Sequence, residues 1–127
     1  MATKTFNLSE VKTGNFIFWT VCSQCQNLGT VVIRDNTKVY ATIKKNSCST
    51  QFTLLAQDHN IYTGGSNFRI EVDIPNSKTI DSSSQSYAIT DKEMNSVGHG
   101  YNICIEDAGD KDYNDIYIDF VAWNKKG

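Results

Sequence analysis

Residues 67–74 read NFRIEVDI, with Phe68, Ile70, Val72 and Ile74 alternating with Arg69, Glu71 and Asp73. Successive side chains of a strand point to opposite faces, so this pattern predicts a strand with one face on a core and one in water. Gly64-Gly65-Ser66 before it and Pro75-Asn76-Ser77 after it are turn residues that bound it. Working outward, the rhythm recurs. KTFNLS (4–9) sets Phe6 and Leu8 on one side, and NFIFWTVC (15–22) is apolar, aromatic and β-branched. GTVVIRD (29–35) and KVYATIKK (38–45) flank Asn36-Thr37, a hairpin link. TQFTLLAQ (50–57), SYAIT (86–90), YNICIE (101–106) and IYIDFVAW (116–123) complete the set. DSSSQS (81–86) reads as a polar loop, and Gly98-His99-Gly100 as an exposed turn. TDKEMNSV (90–97) holds at most a turn or two of helix, and no stripe of period 3.6 competes. Eight or nine short strands with turns between them predict an all-β fold, an antiparallel Greek-key β-sandwich forming a single domain over 1–127.

The 127 residues leave room for one core. With 39% hydrophobic and 20% charged residues, the composition is that of an ordinary globular chain. No apolar run approaches the ~20 residues that span a bilayer. The opening MATKTFNLSEVKTG lacks the basic head and apolar stretch of a signal peptide, so cytoplasmic synthesis is expected, with any export by a non-classical route. The net charge of −2 excludes the generally basic class of nucleic-acid binders.

Cysteines stand at 22, 25, 48 and 104. Cys22-Ser23-Gln24-Cys25 is a CxxC, yet a zinc site wants a second such pair or two histidines at ligand spacing, and His59 and His99 are far apart. A thioredoxin-like CxxC opens a helix in a βαβ unit, whereas this one lies between two strand candidates. Reduced, partly buried thiols are the preferred reading. A Cys22–Cys25 or Cys48–Cys104 disulfide stays open for an exported protein.

Charge is concentrated in one place. Residues 106–119 carry six acids and one base, a sum of −5, while the rest of the chain sums to +3. Residues 106–115 read EDAGDKDYND between two apolar strand candidates, so they form a connecting loop held near the core. Glu106, Asp110, Asp112, Asn114 and Asp115 offer oxygen ligands only, the chemistry of a hard cation such as Ca²⁺. Crowded carboxylates repel one another without a cation to neutralise them, and Lys111 is the one local base. An EF-hand does not fit: counted from Asp110, position six is Asp115 and position twelve is Val121, and the flanks are strands. A solvated acidic loop is the bland alternative. A glycosidase pair would need carboxylates on opposite walls of a cleft, and no Ser-His-Asp or Cys-His set can be assembled, so an enzyme is not expected.

At this loop the chain resembles the calcium-dependent fucose- and mannose-binding bacterial lectins, a family of small proteins with two calcium ions per site. The resemblance rests on Glu106-Asp107, Asp110, Asp112-Tyr113-Asn114-Asp115, Trp123 and Gly127, with a weaker match at Phe6-Asn7-Leu8 and Gly14. It covers about a fifth of the chain clearly. It implies a lectin in which Ca²⁺ ions coordinate sugar hydroxyls directly. Glu106 and Asp110 would bind mainly one ion, Asn114 the other, and Asp112 and Asp115 both. Asp107 would bind the sugar, and Gly127 of a partner chain would contribute its carboxylate to the second ion, making the site a property of a homodimer or larger homo-oligomer. The family's specificity loop falls near Ser23-Gln24-Cys25-Gln26, so Ser23 and Gln24 are candidate sugar contacts beside Asp107, Asp110, Asp112, Asn114, Asp115 and Gly127. The residue types of that loop differ here, so fucose against mannose is not carried over, and the ending Asn124-Lys125-Lys126-Gly127 is more basic than the family's. The rival reading is a structural calcium-binding β-domain of an adhesin or assembly protein, without sugar binding.

Overall fold

The structure, a computed structural model, describes residues 2–25, 27–106, 113 and 115–127. Among these residues there are nine strands: β1 (Ala2–Asn7), β2 (Phe16–Ser23), β3 (Gly29–Arg34), β4 (Val39–Lys45), β5 (Thr53–Ile61), β6 (Arg69–Ile74), β7 (Asp81–Thr90), β8 (Ser96–Glu106) and β9 (Ile116–Trp123). They form two antiparallel sheets, ordered β1-β6-β3-β4 and β5-β2-β9-β8-β7, which make a β-sandwich. In the second sheet β7, β8 and β9 follow one another, and β2, from the first part of the chain, pairs with the far side of β9.

The alternating strands supply the core. Ile70, Val72 and Ile74 of β6 and Val31 and Ile33 of β3 face inward from the four-stranded sheet. Ile17, Trp19 and Val21 of β2, Ile116, Ile118 and Phe120 of β9, and Tyr101, Ile103 and Ile105 of β8 face them from the other. Trp19 and Phe120 stand opposite each other in register with rings nearly parallel, 6° apart in plane and 6.4 Å between centroids. Truncating such a buried aromatic removes both transfer energy and packing, at a cost of about 3–5 kcal/mol. No helix of the described residues is long and apolar enough to cross a membrane.

The expected strands are present, and β9 keeps the bounds read from sequence. Three expectations are corrected. DSSSQS is the first half of β7, not a loop. β7 is an edge strand with most of its side chains in water, so it carries no apolar alternation, and its pairing with β8 rests on backbone hydrogen bonding. Gly98-His99-Gly100 lies inside β8, not in a turn. The glycine at 100 leaves room for the Tyr87 ring of β7 to lie over it: a Cβ there would stand 2.3 Å from the ring and push it aside. Finally, 91–95 is the tight turn of the β7–β8 hairpin. The Asp91 carboxylate accepts from the amides of Glu93 and Asn95, and Met94 takes φ 67°. Local side-chain capping of this kind competes with helix.

All four cysteines are free. Cys25 is buried, its thiol beside Ser23 Oγ and Asn27 O, while Cys48 is exposed and not partly buried as expected. Cys22 and Cys104 lie on the outer face of the five-stranded sheet, on either side of Tyr117. Burial pushes both thiols up, away from the thiolate a metal or a nucleophile would need.

Candidate functional site

The acidic connection springs from one end of the sandwich, where three central strands meet. Ser23 ends β2 and pairs with Ile116, the first residue of β9, which pairs in turn with Ile105 of β8. The next residues outward are Glu106 on β8 and Asp115 before β9, so these two acids face each other across neighbouring strands. Both are buried, Glu106 at 1% and Asp115 at 6% exposure. The Asp115 backbone is fastened on both sides: its amide donates to the Ile105 carbonyl at 3.1 Å, and its carbonyl accepts from the Gln24 amide at 2.9 Å. Backbone strain marks the same place, since Tyr113 takes φ 56°, a left-handed conformation uncommon outside glycine and asparagine.

Chemically, Glu106 and Asp115 place two carboxylates at neighbouring positions out of water. Their oxygens are the hard donors Ca²⁺ takes. The donor chemistry therefore fits calcium at Glu106 and Asp115. Among the described residues, no group of three or more His, Cys, Asp and Glu side chains converges as a metal site. Asp107, Asp110, Asp112 and Asn114 lie outside the described residues.

The candidate specificity loop leaves β2 directly into this end. Ser23 is fully buried with its hydroxyl on the Cys25 backbone and thiol, whereas Gln24 is exposed. Of the two, Gln24 is the side chain at the surface beside Asp115. Gly127 is exposed and belongs to the opposite end of the molecule. It follows Trp123, the last residue of β9, and the Asn124 amide and side chain bind Val97 O and Ser96 O at the start of β8. The eight residues of β9 put about 25 Å between that end and Asp115. Within one chain, Glu106, Asp115 and Gln24 are brought together and Gly127 is not.

Asp119, inside the acidic stretch by sequence, sits on the outer face of β9 and takes a hydrogen bond from Asn102 Nδ2 at 3.0 Å. Burial pushes its carboxyl above the ordinary range, an effect the Asn102 bond opposes. The backbone tie between Gln24 and Asp115 has no signal in the sequence, because it depends on β2 and β9 pairing from opposite ends of the chain.

No family model and no curated protein matches the chain. Solved structures do. The C-terminal domain of the BC2L-C lectin from Burkholderia cenocepacia is 24% identical with a TM-score of 0.69, over 96% of this chain and 96% of that one. The high-affinity mannose-binding lectin of Ralstonia solanacearum is 22% identical with a TM-score of 0.66, over 92% and 93%. The Chromobacterium violaceum lectin CV2L, in complex with α-methyl-fucoside, is 16% identical with a TM-score of 0.61, again over 92% and 93%. From end to end, the chain has the sandwich fold of these three bacterial lectins.

Proposed function

We propose that this protein is a non-enzymatic, calcium-dependent lectin whose acidic loop holds two Ca²⁺ ions that take sugar hydroxyls as ligands. The observation that carries the reading is the buried Glu106–Asp115 pair at the mouth of an oxygen-only loop, on a fold shared with bacterial lectins. Asp110, Asp112 and Asn114 complete the ligand set and Asp107 accepts from the sugar, as the resemblance implies. Calcium supplies charge that polarises a vicinal diol. Glu106 and Asp115 hold the ions against the core, and Gln24 stands at the rim where a bound sugar would be discriminated. Fucose and mannose are the first candidates, since two of the neighbouring lectins carry those sugars in their descriptions.

A homodimer belongs to this proposal. Phe16, Phe18, Tyr117, Val121 and Trp123 share the outer face of the five-stranded sheet, an apolar surface on one side of a sandwich. Two copies packed on that face with strands antiparallel would bring the tail after Trp123 of one to the acidic end of the other. The carboxylate of the partner's Gly127 would then reach the second ion.

The test is a glycan array read with Ca²⁺ and with chelator. Calcium-dependent signal on fucosylated or mannosylated glycans supports the lectin. Calcium-dependent stabilisation with no glycan bound at any concentration would replace it with the structural calcium-domain reading.

A further inference from the structure

The two sheets share one edge through β4 and β5, and at the other edge β1 and β7 both end their sheets. Between them lies a cleft of about 510 Å³ whose walls include Phe6, Asn7, Glu10, Ser86, His99 and Tyr101. We propose that this cleft is a second saccharide-binding site, independent of calcium and separate from the acidic end.

Its floor is aromatic and fixed. Tyr101 is 7% exposed, packs edge-on against Phe120 of the core, and lies 5.0 Å, centroid to centroid, from the His99 ring. Its hydroxyl accepts from the Glu10 amide at 2.9 Å, which anchors the loop after β1 to β8. Burial pushes the Tyr101 phenol up, and the nearby Glu10 carboxylate pushes it further in the same direction. His99 Nε2 is hydrogen-bonded to Ser86 Oγ on the neighbouring strand, so the imidazole is held at one orientation over the cleft.

The lining chooses the ligand. Hydroxyl, amide and imidazole groups donate and accept, and Glu10 accepts only. No Lys or Arg is among the cleft's described lining residues, and the nearby Lys12 ammonium is engaged by the Ser9 carbonyl at 2.9 Å. A sugar has an apolar C–H face for an aromatic ring and a rim of hydroxyls for such groups. The volume lies within the ~300–1,000 Å³ usual for small-ligand sites. Ile103, the lining residue nearest Glu106 on β8, precedes it by three residues, so the cleft wall begins about 10 Å from the acidic end and its Tyr101 floor lies about 17 Å away, too far to share a single sugar ring with it. Two sites on one protomer would bind branched glycans with effective-concentration gains that neither has alone.

The experiment is an amide NMR titration of the full chain in chelator with methyl α-mannoside and with a mannotriose, repeated after adding Ca²⁺. Saturable shifts at Ser86, His99 and Tyr101 in chelator are expected, with a further set at Glu106 and Asp115 after calcium. Absence of the calcium set alone would remove the acidic-end reading and leave the cleft standing. His99→Ala should weaken the cleft binding about five- to ten-fold, as loss of one oriented polar partner does. Ser86→Leu, at an exposed edge-strand position, should fill the cleft and abolish it. Neither variant should touch the calcium set. No saturable shifts at the cleft, shifts indifferent to both variants, or saturation by an extended peptide and not by saccharide would overturn the proposal.

Discussion

The Gln24 amide donates to the Asp115 carbonyl across 2.9 Å, joining the loop after β2 to the last residue before β9. Ninety-odd residues of chain separate the two, yet this bond makes the candidate specificity loop and the candidate metal loop neighbours. A change in sugar preference through the first and in calcium affinity through the second would therefore act on one surface.

Calcium should stabilise the fold. A ligand that binds only the native state at about 100 times its dissociation constant adds about 2.7 kcal/mol. For a chain of this size that corresponds to a rise in Tm of roughly 10 °C. Chelator should lower the calorimetric Tm by that order, and Ca²⁺ should restore it better than Mg²⁺, which demands a tighter octahedron. Superimposable melts in calcium and chelator would remove the metal reading.

Asp112→Asn, at the proposed bridging ligand, should abolish calcium-dependent sugar binding while the β-sheet circular dichroism survives. Asp119→Asn is the control, because its side chain is on the outer face of β9 with Asn102. A carboxyl raised on folding costs stability as pH climbs through its folded value, so this variant should be no less stable than the parent at pH 7. Equal loss of binding by both variants, with the dimer intact by sedimentation, would indicate a general charge effect.

Asp35 and Gly65 form a second testable pair. Asp35 is fully buried, and its Oδ1 accepts from the amides of Thr37 and Lys38 and the hydroxyl of Thr37. Burial pushes its carboxyl up, but those hydrogen bonds and the Arg34 charge outweigh it and hold the group below the usual range. The stability it contributes is present above the unfolded value of about 3.9 and is lost as pH falls toward the lower folded value. The stability gap between the parent and Asp35→Asn should therefore narrow below about pH 4.

A Cβ on Gly65 would stand 2.2 Å from Asp35 Oδ2, at φ +139°. Gly65→Ala should cost about 2–4 kcal/mol in urea denaturation. Combined with Asp35→Ala, its added cost should shrink, since the clash is gone and only the backbone strain remains. Strict additivity would show that the carboxylate does not occupy that place.

A short tag after Gly127 turns a carboxylate into a peptide carbonyl, a weaker ligand for a hard dication. It should weaken sugar binding and dimerisation together, read by calorimetry and sedimentation, while a tag before Met1 should be harmless. Full binding by the C-terminally tagged protein would strike Gly127 from the site and leave it to be completed within one chain.

The sequence by itself determined the strands whose two faces differ. NFRIEVDI became β6 and IYIDFVAW became β9, because alternation is a local property set by which side chain meets core and which meets water. It also carried the candidate site's donors: the side chains of Glu106, Asp110, Asp112, Asn114 and Asp115 are oxygen donors whatever element they pack against. Tertiary structure alone decided the rest. The first half of β7 was hidden because an edge strand in water carries no alternation, and Gly98-His99-Gly100 read as a turn because Tyr87, the ring that covers Gly100, lies on another strand. The pairing of Ser23 with Ile116 buried one candidate sugar contact and left Gln24 at the surface, and the pairing of Ile105 with Ile116 set Glu106 opposite Asp115. It also sent Gly127 to the far end of the molecule. These placements follow from register, which for β2 and β9 joins segments some ninety residues apart. Register is set by the whole sandwich burying its inner faces at once, and no short window of sequence contains that condition.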